Sequence, residues 1–439
     1  GRRPENTEVT APVEVWEAFV AACAPAFTQP SFTLFGDLLR AWALCPGRHT
    51  VTHMLCMLGP APRRKHDAYH RFLRAGAWSM AALWRLLAQA LAAGLAGALD
   101  DLLLDLDDTL FHKTGRKVES AGVFRDAVRY VKSHVVYALG LNLVVMTLRV
   151  SAPWGGEPLG LPINMRVYRK NGPSHLDLAL QMLREVMVWF PGRVIRLCAD
   201  GAYSSLAGRV PEGVIFTSRL RRDAALYEIK LPRRRPGRGR PRTKGARLPA
   251  PEEMAGRARK WTPAVIDCRG RPKERLIYTR MVLWYRVCPD RPVKLVIVRD
   301  PAGKEPDDFF FTTEAEAAGQ DVVGGYCGRW SIEDTFRNTK QYLGGEDPQT
   351  WKGQGPERAA ALSLWIYAAV WYWYITVHGA KPVWVRTPWY TAKNTPSFAD
   401  ALGALRRELW GRSIYARSDV RPQVRKIADI LIGALAGAT

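Results

Sequence analysis

Leu102-Leu-Leu-Asp-Leu-Asp-Asp108 is a short apolar run that closes on acids. Such a run, with polar residues on both sides, predicts a buried strand whose end reaches solvent. His134–Val150 and Leu161–Tyr168 read as the next two strands, and Leu176–Phe190 as an amphipathic helix. Val194-Ile-Arg-Leu-Cys-Ala-Asp200 then repeats the opening pattern, a buried strand that ends in a carboxylate. A strand, two more strands, a helix and a strand, with acids ending the first and fourth strands, predict an α/β sheet whose ligands gather along one edge.

Outward from this core the pattern changes on both sides. Residues 12 to about 99 read as helical, with apolar positions at helical spacing in Val13–Cys23, Phe35–Leu44 and Ala77–Leu99. Between them Ala61–Phe72 forms a basic turn leading into a helix, which reads either as part of a helix-turn-helix or as a solvated loop. Residues 211 to about 319 are broken by Pro, Gly and charge into strand candidates at Val214–Arg219, Leu226–Ile229, Arg280–Val287, Val293–Arg299 and Phe309–Thr313. They read as a β-rich insertion. Within it Lys230–Pro249 holds nine basic residues and no acid, a composition too polar to pack. The expected units are therefore a helical DNA-binding region over 1–99, a core over 100–210 and 320–377, the insertion over 211–319, and a C-terminal helical region over 378–439. In the last of these, Phe398–Leu409 and Val424–Leu435 carry apolar stripes that suit either a dimer contact or a cap on the core.

Lys and Arg number 64 against 41 acids, so 64 − 41 gives +23 and a pI near 10.0. An excess of this size suits a polyanionic partner, because each neutralised phosphate releases counterions. The seven cysteines are scattered, form no CxxC pair and mostly sit in apolar surroundings, which reads as reduced thiols and neither a disulfide framework nor a zinc knuckle. The polar opening segment Gly1–Thr10 does not read as a signal peptide, and a cytoplasmic, nucleoid-associated location is expected. Ala359–Val377 is apolar enough to raise the question of a membrane span. Its Trp and Tyr residues fill the middle of the stretch, whereas membrane helices place such rings at the two interfaces, so a buried helix and no membrane partner are expected.

The segment richest in chemistry is Tyr326-Cys-Gly-Arg-Trp-Ser-Ile-Glu-Asp-Thr-Phe-Arg-Asn-Thr-Lys340. On a continuous helix Tyr326, Arg329, Glu333 and Lys340 fall within roughly 60° of arc, presenting a phenol, a guanidinium, a carboxylate and an ammonium together. Together with Asp107 and Asp200 upstream, this offers acids for metal and cations for the non-bridging oxygens of a phosphate.

Here the chain resembles the DDE-type insertion-sequence transposases, in the cut-and-paste branch with a Tyr-x2-Arg-x3-Glu-x6-Lys signature. Tyr326, Arg329, Glu333 and Lys340 match that signature at every spacing, Asp200-Gly-Ala-Tyr203 fits the second carboxylate motif, and Leu106-Asp107-Asp108-Thr109 fits the first. The resemblance spans about residues 100 to 375. It implies a ribonuclease H-like catalytic core with a β-rich insertion, flanked by N-terminal and C-terminal helical regions. It also implies a DNA endonuclease and strand transferase that cuts the terminal inverted repeats of a mobile element and joins them to target DNA. Asp107, Asp200 and Glu333 would hold two Mg²⁺ ions, with Mn²⁺ able to substitute, and Tyr326, Arg329 and Lys340 would bind DNA phosphate. The working species would be a homodimer in a synaptic complex with double-stranded DNA.

Several alternatives stay open on sequence. The first carboxylate is Asp107 or Asp108, since neighbours on a strand face opposite sides. Asp107 is preferred for its spacing to Thr109, and Asp105 shares its face. In the resembling family one strand attacks the other to form a hairpin and a base leaves the stack; Trp330, Trp284 and Trp261 are candidates to receive it. Arg63, Arg64, Lys65 and Arg71 are candidate DNA contacts. Arg238-Gly-Arg240-Pro241 reads either as a minor-groove hook or as a basic linker. Leu103-Leu-Asp105-Leu-Asp107-Asp-Thr109 also spells the aspartyl-phosphate motif of haloacid dehalogenase-like phosphatases, with Asp105 as nucleophile, but Asp200-Gly-Ala-Tyr203 lacks the acidic pair which that reading needs. A transposase-derived DNA-binding protein that no longer cuts is the remaining alternative.

Overall fold

The structure is a computed structural model, and it describes residues 11–59, 64–97, 100–126, 135–229, 243–416 and 422–438. Arg63, Arg238 and Arg240, and with them most of the basic loop, lie outside the described residues.

The chain opens with helices α1 (Pro12–Ala22), α2 (Gln29–Leu44), α3 (Val51–Cys56), α4 (His66–Ala75) and α5 (Met80–Leu95). Ser79 caps α5 by accepting the Ala82 N–H at 3.2 Å, and Thr50 caps α3 in the same way. Strands β1 (Leu102–His112), β2 (Gly122–Arg125), β3 (Tyr137–Val150) and β4 (Leu159–Tyr168) follow, then α6 (His175–Trp189), β5 (Ile195–Ala199) and β6 (Val214–Arg219). After these come α7 (Pro251–Arg257), β7 (Thr262–Cys268), β8 (Arg271–Val282), β9 (Val293–Arg299) and β10 (Asp308–Thr312). The chain finishes in α8 (Gly319–Gly328), α9 (Ser331–Tyr342), α10 (Gly355–His378), α11 (Phe398–Tyr415) and α12 (Pro422–Gly437).

Among the described residues ten strands join one sheet in the order β2-β3-β1-β5-β6-β10-β9-β8-β7, with β4 also paired to β3. β5 lies parallel to both β1 and β6, and β3 is antiparallel to β1. The expected division at residue 211 falls within this sheet. β6 is an inner strand of the central sheet, and β10, β9, β8 and β7 continue that sheet outward from its open edge. An antiparallel strand can pair with either edge of a parallel set, so a β-rich segment need not form a layer of its own.

Smaller differences have local causes. β8 begins well before the expected Arg280, because its first half carries Arg, Lys and Glu exposed to water and so lacks an apolar face to read. Tyr227 makes only isolated bridges, to Arg247 and Leu283, where a strand was expected. α7 and β2 are too short for a periodic signal, and α7 starts on Pro251, whose fixed φ suits the first helical position.

α10 is the hub of the helical side, packing on β4, α4, α5, α9 and α11. It is long and apolar enough to cross a membrane, yet 83% of its most apolar window is buried inside the protein. Trp365 and Trp373 donate their indole N–H groups to the carbonyls of Leu83 and Pro12, at 3.1 and 2.8 Å. Those rings are thereby satisfied by protein, as a core helix requires. The apolar stripe of α11 is buried against α10 and α2 and therefore caps the core. α12 packs on α11 but leaves Ile427, Ile430 and Leu431 exposed.

His49, between α2 and α3, is almost fully buried, and neither ring nitrogen has a hydrogen-bond partner. Burial holds its pKa down at about 4, although Asp347, 4.0 Å away, pulls the other way; the Arg406 charge adds to the lowering. A folded pKa below the ordinary value of about 6.5 gives stability that is present above that pH and lost as pH falls toward 4. We expect His49→Asn to remove up to about 3 kcal/mol of acid destabilisation between those limits. The check is Tm against pH for both proteins, and parallel curves would contradict it.

Candidate active site

Leu106 pairs with Ala199 and Ala199 with Ser218 across three parallel strands, so Asp107, Asp200 and Arg219 are the next residues in line on β1, β5 and β6. β5 ends at Ala199 while β1 runs on, paired there only with β3. The sheet therefore loses a strand beside Asp107, and the gap becomes a cleft of about 920 Å³. The Ser218 hydroxyl donates to the Asp200 carbonyl at 3.0 Å and fixes the turn that leaves β5.

The other wall comes from α8 and α9. They are not the single helix that the spacing predicts: α8 ends at Gly328 and α9 starts at Ser331. The joint is tightened by i to i+3 hydrogen bonds, Ile332 to Arg329 and Glu333 to Trp330, at 3.1 and 3.0 Å. Gly324, Gly325 and Gly328 weaken the helical preference of α8, and a Cβ on Gly328 would stand 2.6 Å from an Arg149 nitrogen. Arg149 makes a two-nitrogen bond to Asp105 on β1 and donates to the Gly325 carbonyl at 2.6 Å. The joint between α8 and α9 is thus tied to the strand that carries Asp107.

Within the cleft Asp107, Asp108, Asp200, Glu333, Tyr326, Arg329, Trp330 and Lys340 all contribute wall. Arg329 donates to Asp107 at 2.5 Å and lies 3.6 Å from Glu333. Asp107 and Asp108 face apart, as strand alternation demands. Asp107 turns to Arg329, whereas Asp108 accepts from the Tyr203 hydroxyl at 3.0 Å and faces Asn142, which His175 contacts at 2.9 Å. The carboxylate on the α9 side is Asp107.

Burial pushes Asp107 up to about 7; the Arg329 charge opposes this, and Asp108 and Asp200 add to it. Burial also raises Glu333, against the pull of Arg329 and Arg269. The Arg329 cation loses hydration by burial, but Asp107, Tyr326, Asp200 and Glu333 more than hold its charge in place. Tyr326 is pushed up to about 12, chiefly by burial, so its phenol keeps its proton. The Tyr326 hydroxyl and the Arg329 Nε are both buried without a hydrogen-bond partner. Orphaned donors of this kind each cost about 1–3 kcal/mol, which an oxygen-rich ligand in the cleft would offset.

Among the described residues no three His, Cys, Asp or Glu side chains are gathered closely enough to hold a metal. Arg329 is the cation that bridges Asp107 and Glu333 here. The donor set nevertheless suits a hard divalent cation: Asp107, Asp108, Asp126, Asp200 and Glu333 line one cleft, and burial and like charge raise Asp107.

A family model described as "DDE superfamily endonuclease" matches residues 24–285. That span is 262 of 439 residues (285 − 24 + 1), more than half of the chain. The chain belongs to the DDE superfamily of endonucleases. A search of the curated proteins returned no match. Membership in this superfamily carries a ribonuclease H-like fold, a nuclease or transposase type of activity and a usual dependence on divalent metal. The mixed sheet with helices packed on it is consistent with that fold. The matched span contains Asp107 and Asp200 and stops short of Glu333, so the third acid of this DDE endonuclease rests on its place in the cleft.

Other candidate residues divide by position. Trp330 is 40% exposed and stands between the main cleft and a second one of about 360 Å³. Trp284 is a core residue, buried edge-on against Phe311, and Trp261 packs under Arg299 and beside Tyr278, outside the cleft. Lys340 donates to the Leu110 carbonyl at 2.7 Å. Asp105 is fully buried and held by Arg149 and is not among the cleft residues, which removes the nucleophile that the phosphatase reading requires. Arg219 was missing from the sequence reading. Its signal was available: it ends a predicted strand as Asp200 does, and in the structure its guanidinium lies 5.9 Å from the Tyr326 ring.

Proposed function

We propose that the chain is a cut-and-paste DNA transposase of the Tyr-Arg-Glu-Lys branch, which cleaves element ends and transfers them to target DNA. The observation that carries this reading is the single cleft in which Asp107, Asp200 and Glu333 meet Tyr326, Arg329 and Lys340. Asp107, Asp200 and Glu333 would hold Mg²⁺ or Mn²⁺, which when bound activates the attacking hydroxyl and stabilises the leaving oxygen. Arg329 and Lys340 neutralise the non-bridging oxygens, the first through a planar fork and the second as a point charge. The protonated Tyr326 phenol donates to the same phosphate group. A Trp330 ring that borders both clefts offers a face on which a base turned out of the duplex could stack, as a hairpin intermediate would require.

Excision needs two ends, and a two-fold pair of chains is the commonest way to present two identical sites. The exposed apolar side chains of α12 are the surface we assign to that contact. The expected location is the cytoplasm, on the nucleoid.

The test uses the purified full chain, double-stranded DNA carrying the inverted repeats that flank its reading frame, and Mg²⁺ or excess chelator. We expect metal-dependent nicking that leaves a 3′-hydroxyl, then hairpin ends on a denaturing gel, with light scattering showing two chains per pair of ends. Binding without nicking in Mg²⁺ or Mn²⁺ would instead identify a DNA-binding protein that has lost catalysis.

A further inference from the structure

A second, basic concavity lies between α4 and the loop that leads into α10. Its volume is about 740 Å³, and its walls include Lys65, Arg71, Arg74 and Lys352 with His70 and Trp351. Arg71 and Arg74 stand three residues apart on α4 and so share a face, while Lys65 lies at the entrance to that helix. All four cations are exposed, and among the described residues none of them is paired with a carboxylate. The one acid in the wall, Asp67, is 3.1 Å from His66. Arg169, Arg209 and Arg221, exposed elsewhere on the protein, each lie against an acid. An unpaired cluster in a concave wall focuses positive potential where a polyanion can enter.

Trp351 gives the groove a second kind of contact. It is 55% exposed, so its indole face is open to a ligand in the groove. Its position is fixed on both sides. The Trp351 carbonyl accepts from the Glu119 N–H at 2.8 Å, the Gly353 N–H donates to the Glu119 carboxylate at 3.1 Å, and the Gln354 N–H donates to the Arg74 carbonyl at 3.1 Å. Gly353 has φ +60°, and a Cβ there would meet the Arg74 carbonyl at 2.7 Å, so glycine is needed to bring the loop onto α4. The same loop begins beside the catalytic cleft: Glu346 lies 3.7 Å from Lys340, and Trp351 follows Lys340 by eleven residues (351 − 340).

We propose that this groove grips the sugar-phosphate backbone of the DNA duplex whose scissile phosphate occupies the catalytic cleft, with Lys65, Arg71, Arg74 and Lys352 neutralising phosphates and Trp351 packing against the backbone sugars. The inference rests on the reading of the chain as a DNA-cutting enzyme and adds to it where the flanking duplex runs. It also gives α4 and the loop before α10 a shared ligand, and so links the helical region to the sheet by a DNA contact as well as by packing.

The test is fluorescence anisotropy of the full chain with a 5′-fluorescein duplex of about 40 base pairs and arbitrary sequence, titrated at several salt concentrations. Each lost phosphate contact lowers the slope of log affinity against log salt by about 0.9. The triple variant Arg71→Gln, Arg74→Gln, Lys352→Gln should lower it by about 2 to 3, and Trp351→Ala should weaken binding about fivefold or more without changing the slope. Because Arg74 borders Gly353, the double variant Lys65→Gln, Lys352→Gln is measured alongside and should lower the slope by about 2. An unchanged slope in both charge variants overturns the groove while leaving the catalytic reading intact. Failure of the parent protein to nick DNA would defeat that reading instead. Tighter binding of an equal-length RNA duplex than of DNA would also overturn the proposal.

Discussion

Asp107→Asn, Asp200→Asn and Glu333→Gln, made one at a time, are each expected to reduce metal-dependent nicking by on the order of 10²–10³ or more while leaving DNA affinity equal or slightly improved. The reason lies in charge. These acids attract a divalent cation but repel phosphate, so their removal cripples chemistry and relieves a repulsive term in binding. Asp107 has the strongest claim of the three, because it is more buried than Glu333 and is raised to about 7 by that burial and by Asp108 and Asp200. Asp108→Asn is the internal control: its carboxylate turns to Tyr203 and Asn142, and an amide oxygen can still accept from the Tyr203 hydroxyl. We expect a smaller loss there. Lost cleavage in Asp108→Asn together with retained cleavage in Asp107→Asn would move the first carboxylate by one residue. Anisotropy with the same DNA, measured beside the nicking rate, separates a binding defect from a catalytic one.

What the sequence made legible follows from range. β5, β6 and β9 begin or end within a residue of the expected spans, because apolar runs with a charged end are local signals. Three carboxylates could be named for the same reason, since each sits beside a motif that is read within a few residues. Sheet order could not be read that way. That β10, β9, β8 and β7 extend from β6 depends on pairing between segments about a hundred residues apart, as Thr217 with Thr312 shows. The break between α8 and α9 was equally hidden. Helical spacing alone joins Tyr326 to Lys340, but the pull of Arg149 on Gly325 and the room that Gly328 leaves for it are tertiary facts. Trp284 could be read either as a base-stacking candidate or as a core residue, because a tryptophan in a strand-rich segment looks the same in sequence whether it faces a cleft or Phe311.

Breaking the ion pair between Asp105 and Arg149 is expected to cost about 3–5 kcal/mol of stability and to abolish nicking as well. Asp105 is fully inaccessible and Arg149 nearly so, so a lone survivor would be a buried charge without a partner. Asp105→Asn or Arg149→Met should therefore lower Tm by several degrees, as a loss of this size does in a domain of a few hundred residues. Loss of activity alone would not separate a stability effect from a positional one. The double variant Asp105→Leu, Arg149→Met does, because replacing both partners with apolar residues of similar size is often neutral or stabilising. If the pair only holds the fold, the double variant should recover both Tm and nicking. If it also positions the cleft, Tm should return while nicking stays low, since the Gly325 carbonyl and the Ser331 hydroxyl both lose the groups that fix the joint above Asp107. We expect the second outcome. A Tm change of less than a degree in either single variant would show that the pair is dispensable, and that α8 and α9 are held against β1 by packing alone.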